Sequence, residues 1–140
     1  MRKRYPFISS DAALGEAAFR PILPFTLVHE QNSVSVSGLL DTGASVNVLP
    51  YSIGIELGYE WERQTTALNL TGNLAQYEAR VVLVEAVLEG FEPVRLVFAW
   101  TQATNVPLIL GQVNFFMEFD ICFYRSQLQF EISLKSGTLE

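Results

Sequence analysis

From Ser33 to Ser37 the chain alternates polar and apolar residues without a break, the period of a strand with one wet face and one buried face. An extended stretch precedes it over residues 25–29, entered past Pro21 and Pro24, and Glu30-Gln31-Asn32 supplies the turn. Gly38-Leu39-Leu40 prolongs the second strand to Asp41. After Pro50 the pattern lapses into a connection rich in glycine and aromatics (Gly54, Gly58, Tyr59, Trp61). Period two returns at Ala67-Leu68-Asn69-Leu70, breaks at Thr71-Gly72-Asn73 and resumes from Leu74, which predicts a hairpin. The apolar run over residues 81–88 predicts a central strand, turned by residues 89–93 and returning over 94–98. Residues 106–110 predict a buried strand closed by Gly111. There the period changes: Val113, Phe116 and Met117 fall at i, i+3 and i+4, the spacing of one short helix. Ile121-Cys122-Phe123 and residues 128–132 flank a last turn. The pattern is therefore all-β, mostly strand with one short helix near the C-terminus. Residues 1–20 read as an N-terminal arm and 21–140 as one domain.

Composition narrows the class. With 49% hydrophobic and 17% charged residues, the chain has the means to fold around a core and lacks the signature of disorder. Its formal net charge of −6 disfavours a nucleic-acid partner, whose capture depends on clustered cations. Arg2-Lys3-Arg4 is too short and too terminal to serve as such a surface. Cys122 stands alone, which excludes an intrachain disulfide and a cysteine metal site. His29 is the single histidine, so a Ser- or Cys-based triad has no support. No metal and no cofactor are expected. Ser9-Ser10-Asp11 and Glu16 interrupt any signal-peptide core after Arg4, and no window approaches the roughly 18 apolar residues of a membrane span. The reading is a soluble, cytoplasmic protein that does not associate with membranes.

The candidate chemistry lies in Leu39-Leu40-Asp41-Thr42-Gly43-Ala44-Ser45. A carboxylate set between an apolar run and a small-residue turn is costly to bury unless partners satisfy it or chemistry uses it. Asp and Gly are also standard turn formers, so the tripeptide alone reads equally as a plain turn. Its context adds to it: an alternating strand before, Ala-Ser and Val48-Leu49-Pro50 after.

This segment resembles the active-site loop of the retropepsin-like aspartic proteases, in a stand-alone, bacterial-type form. A second motif, Ile109-Leu110-Gly111 followed by the one helix, resembles the structural motif under that loop, and the order of elements matches over residues 21–134. The resemblance implies an acid-protease barrel and an aspartic endopeptidase in which Asp41 is catalytic, with Thr42, Gly43, Ala44 and Ser45 completing the loop. Two carboxylates sharing one proton would activate water and polarise the scissile carbonyl. One loop supplies one aspartate, so a symmetric homodimer acting on a peptide or protein substrate follows. Thr71, Gly72 and Asn73 would form the flap tip. Ala44 offers the dyad no hydroxyl, which implies activity at weakly acidic pH. Retropepsins usually join through interleaved terminal strands, and residues 128–134 alternate suitably for that role.

The chain also departs from the family. Gln112 stands where many members have Arg, and Ser45 where they have its acidic partner, so both halves of that pair are missing together. Only Thr71-Gly72-Asn73 interrupts a flap that is usually Gly-rich. Tyr5-Pro6 is the kind of bond retroviral proteases cut in self-processing, although proline is ordinary in a terminal segment. Cys122 reads as a buried, inert thiol, Asp120 as a poor second acid, and Trp61 and Trp100 as core or interface. The alternative to an enzyme is a catalytically silent module of the same fold that dimerises or binds peptides.

Overall fold

The computed structural model describes residues 1–9, 12–70, 74–75, 77–103 and 105–135. Its first strands are β1 (Arg2–Pro6), β2 (Ile8–Ser9) and β3 (Phe19–Arg20), followed by the long hairpin of β4 (Ile22–His29) and β5 (Asn32–Leu40). After β6 (Asn47–Leu49) come helix α1 (Tyr51–Glu56), β7 (Ala67–Leu68), β8 (Ala79–Val87), β9 (Val94–Thr101) and β10 (Leu108–Leu110). Helix α2 (Phe115–Glu118) leads into β11 (Phe119–Tyr124) and β12 (Gln129–Leu134).

Seven strands run in the order β4-β5-β10-β6-β9-β8-β7, and β4 also pairs with β8. The sheet therefore closes on itself, with β7 attached outside the ring, and closure leaves the barrel strands few open edges. The mostly-β chain expected from the pattern, and the barrel that the resemblance implies, are what the chain forms. Leu23 and Leu27 of β4, Leu49 of β6, Leu96, Phe98 and Trp100 of β9 and Leu110 of β10 fill it, each fully buried. On β5 the alternation seen in the sequence holds: Val34 and Val36 pack against this core while Ser33, Ser35 and Ser37 are exposed.

A second sheet, β1-β12-β11, lies outside the barrel. β12 is its middle strand: Arg2 to Pro6 pair antiparallel with Ser133 to Gln129, and Phe119 to Tyr124 pair with Leu134 to Gln129. Phe130 and Ile132 are fully buried, and Tyr5 stacks on Phe130 with ring centroids 5.3 Å apart. Arg4 Nε donates to Glu131 Oε1 at 3.1 Å, and Lys3 pairs with Glu89 of the β8–β9 turn, so the N-terminal segment is tied at three places. Both edges of β12 are thus taken within the chain, and it is not free to interleave with a second copy as its alternation suggests.

Other local expectations change. The glycine- and aromatic-rich connection holds α1, because Gly54 lets the helix lie on Trp100, where a Cβ would come within 2.2 Å of the indole. Trp100 Nε1 donates to the Tyr51 carbonyl at 3.1 Å, and Tyr51, Tyr59 and Trp61 surround the same ring. The C-terminal helix is a single turn anchored by buried Phe115 against Phe119, while Val113 and Met117 of the expected apolar face are exposed. Cys122 is exposed, not buried, because β11 is an edge strand whose alternate residues face outward. The β7–β8 hairpin resumes pairing at Ala79, not at Leu74.

Candidate active site

Asp41 is the first residue past β5. Leu110 pairs with Leu40 in a parallel ladder, and the Asp41 amide donates to the Leu110 carbonyl at 3.0 Å, which fixes where the strand ends and the loop begins. The loop then folds on its own aspartate. Asp41 Oδ1 accepts the Gly43 amide at 2.9 Å, and the Asp41 carbonyl accepts the Ala44 amide at 3.1 Å. A Cβ at Gly43 would stand 3.3 Å from Oδ1, so glycine keeps that approach open. Asp41 is half-buried; Thr42, Gly43 and Ser45 are exposed.

The second motif braces this loop from below. A Cβ on Gly111 would lie 2.5 Å from the Val46 carbonyl oxygen and 2.8 Å from that of Ala44, so the two segments cross backbone to backbone. Amides of Gln112 and Val113 donate to the carbonyls of Ala44 and Ser45 at 2.9 and 3.0 Å, and the Asn47 amide donates to the Val113 carbonyl at 2.9 Å. Gln112, standing where the resemblance led one to look for Arg, donates Nε2 to the Thr42 carbonyl at 2.8 Å. A neutral, solvent-exposed hydrogen bond holds the loop from this position.

Two asparagines complete the brace, and the sequence reading passed over both. Asn47 is fully buried; its Oδ1 accepts the Gly111 amide at 2.8 Å and its Nδ2 donates to the Val97 carbonyl at 2.8 Å and to Asn114 Oδ1 at 3.1 Å. Asn114 Oδ1 also accepts the Val97 amide at 2.9 Å, and its Nδ2 donates to the Arg95 carbonyl at 3.1 Å. The available signal was a lone polar residue inside the apolar run Val46-Asn47-Val48-Leu49, where a buried amide must be satisfied on every side.

Beside the carboxylate lies a cavity of about 310 Å³. Val46, Val48, Leu70, Leu74 and Ile109 make its apolar wall, Ala44 its inner corner, and Ser45 and Asn69 add hydroxyl and amide groups. Val48 and Leu70 belong to a small cluster with Ala79 and Ala99, distinct from the main core. The structure therefore brings Asp41, Ala44, Ser45 and Ile109 to one cavity, leaves Thr42 and Gly43 on the exposed turn, and places Leu110 in the barrel core. Thr71, Gly72 and Asn73 lie outside the described residues. Asp120 is an exposed residue of β11. Among the described residues no group of three or more His, Cys, Asp or Glu side chains could hold a metal, and no helix is long and apolar enough to cross a membrane.

Residues 27–113 match a family described as aspartyl protease, a span that runs from β4 through the Asp41 loop to Gly111 and beyond. Among solved structures, a retropepsin-like aspartic protease from Rickettsia conorii superposes with a TM-score of 0.60 at 12% identity, covering 94% of this chain and 90% of that one. An inhibitor-bound EIAV protease gives a TM-score of 0.49 at 23% identity over 66% of this chain and 82% of its own. No curated protein matches the sequence.

Proposed function

The chain belongs to the aspartyl protease family, and from that premise we propose that it is an aspartic endopeptidase working as a homodimer, with Asp41 of each subunit forming the dyad. The observation that carries this reading is the placement of Asp41: half-buried at the lip of an apolar cavity, its Oδ1 fixed by the Gly43 amide and its backbone fixed by Leu110. A single carboxylate so held does half of the chemistry. With a second across a twofold axis, the two cannot both ionise cheaply and share one proton. The ionised member takes a proton from water as it attacks the peptide carbonyl. The protonated member hydrogen-bonds the carbonyl oxygen as charge develops on it. The cavity wall of branched aliphatic side chains takes an apolar substrate side chain beside the scissile bond, and exposed Thr42 lies on the loop that would face its counterpart.

The test is a mass-spectrometric cleavage profile on a complex peptide mixture between about pH 3 and 8, comparing the wild type with Asp41→Asn. Cuts on the weakly acidic side that vanish in the variant are expected. Silence from a protein shown to be dimeric would instead favour a non-catalytic module of the same fold.

A further inference from the structure

We infer that Gln112 is a positioning residue for the hydrolysis: through one peptide unit of the loop, its side chain aims the N–H that holds the Asp41 carboxylate. This rests on the endopeptidase reading above and adds a residue that takes no direct part in the chemistry.

The Thr42 carbonyl and the Gly43 N–H belong to the same planar peptide unit, so fixing one end fixes the other. Gln112 Nε2 donates to that carbonyl at 2.8 Å, and the N–H donates to Asp41 Oδ1 at 2.9 Å. Gln112 thus reaches the carboxylate through a single rigid plane without touching it. A donor on an amide oxygen also polarises the N–H of that amide, which strengthens its bond to the carboxylate.

That peptide is the part of the loop best able to turn over. The Asp41 carbonyl accepts the Ala44 amide at 3.1 Å, which closes a four-residue turn with Thr42–Gly43 as its central peptide. Turns of types I and II differ by a flip of this central peptide, and type II needs a left-handed residue at the third position, where glycine meets no steric penalty. Gly43 stands at that position, with its φ outside the left-handed region. The flipped form is therefore open to this loop, and in it the Gly43 N–H points away from Oδ1. Gln112 opposes the flip, because turning the peptide over takes the Thr42 carbonyl from Nε2 and the N–H from Oδ1 together.

The remaining bonds of the brace leave that orientation open. The Asp41 amide bonds to Leu110, and the amides of Gln112 and Val113 bond to Ala44 and Ser45, fastening the loop on either side of its central peptide. Thr42, Gly43 and Gln112 are exposed, so water can replace the Gln112 bond at little cost in stability; its effect lies in the direction of one N–H. A neutral donor also suits the surroundings. Across residues 41–49 and 108–117 the single ionisable side chain is Asp41. On the adjoining elements, Glu118 of α2 pairs with Lys135 at 3.6 Å, and Arg95 of β9 meets the brace through its backbone carbonyl, which Asn114 holds. An amide at position 112 orients the peptide without setting a charge beside a dyad that must share one proton.

The test compares wild type with Gln112→Met, which keeps the length and removes the donor, and with Gln112→Glu, which donates only when protonated. Each is assayed on one peptide taken from the cleavage profile, at concentrations where sedimentation shows it dimeric, and thermal unfolding checks that each folds. Gln112→Met should lose roughly tenfold in kcat with KM within about twofold of wild type, since orientation is lost and not binding. The acid-side limb of its pH profile should move to higher pH, because weaker donation to a carboxylate favours the protonated form. Gln112→Glu should be impaired as much as Gln112→Met at about pH 6 and recover toward wild type at about pH 4, where a free Glu takes up its proton. Wild-type kcat and pH profile in Gln112→Met overturn the inference, as does a Gln112→Glu whose ratio to wild type is the same at both pH values. A loss confined to KM or to dimer affinity makes Gln112 a structural residue and overturns it as well. No cleavage by the wild type, or cuts that persist in Asp41→Asn, overturn the endopeptidase reading itself.

Discussion

Asn47 shows how one residue can hold the Asp41 loop without lining the cavity beside it. Its amide satisfies Gly111, Val97 and Asn114 at once, in a fully buried position. Asn47→Ala leaves the Gly111 amide and the Val97 carbonyl without partners, and each such group costs roughly 1–3 kcal/mol. We expect a loss of about 2–4 kcal/mol in urea unfolding with the slope unchanged. Tyr59 makes a different prediction. Burial pushes its phenol up to about 12, while its hydroxyl donates to the Leu83 carbonyl. In the unfolded chain the same group ionises near pH 10, so between about 10 and 12 the unfolded state binds fewer protons and stability falls as pH rises. The loss attributable to Tyr59, on the order of 2–3 kcal/mol, should be absent from Tyr59→Phe, whose stability curve should be flatter across that window.

At the scale of elements, local pattern and distant pairing part company. The alternation of residues 33–37, the strand's extension through Gly38 to Asp41 and the Asp-Thr-Gly turn were legible because strand period and small-residue turns are local properties. The pairing of β1 was not. Arg2-Lys3-Arg4-Tyr5-Pro6 reads as a solvated arm, and its partner lies at the far end of the chain, across residues 129–133. Likewise Cys122 looked buried because its neighbours are apolar, yet an edge strand turns alternate residues outward whatever their flanks. The helix after Gly111 is one turn long, too short for its period to set a face, and buried Phe115 anchors it with half-buried Phe116 packed beside it. The embedded β1 also bears on self-processing at Tyr5-Pro6. A protease takes its substrate as a free extended segment, and here that bond lies in a paired strand with Tyr5 stacked on Phe130. Intact mass should stay at full length in folded, active protein over long incubation. Phe130→Ala, which removes the buried ring on which Tyr5 stacks and leaves the bond itself intact, should cost about 3 kcal/mol and expose the bond to cutting.

For the molecule as a whole, the family match and the barrel agree on one subunit architecture, and the carboxylate is built into the crossing of two backbones. That crossing explains why the site was readable at Asp41 and Gly111 but not at Asn47 or Asn114. Asp41 stands in a small-residue turn and Gly111 is required by close approach, and both leave marks in the local sequence. The asparagines answer needs created only once β6, β9 and α2 have come together. The expected flap stands apart, since Thr71, Gly72 and Asn73 lie outside the described residues, while β7 on β8 and the cavity-lining Asn69, Leu70 and Leu74 are placed.

The antiparallel register of Arg2 with Ser133 has one more consequence. A first strand lying beside the last makes a hairpin that lacks only its turn. The order in which this fold is written along the gene is therefore not essential to it. Joining the two ends with a short linker and opening the chain at the exposed Glu89–Gly90 bend would give a permuted sequence with the same neighbours, the same brace and the same aspartate.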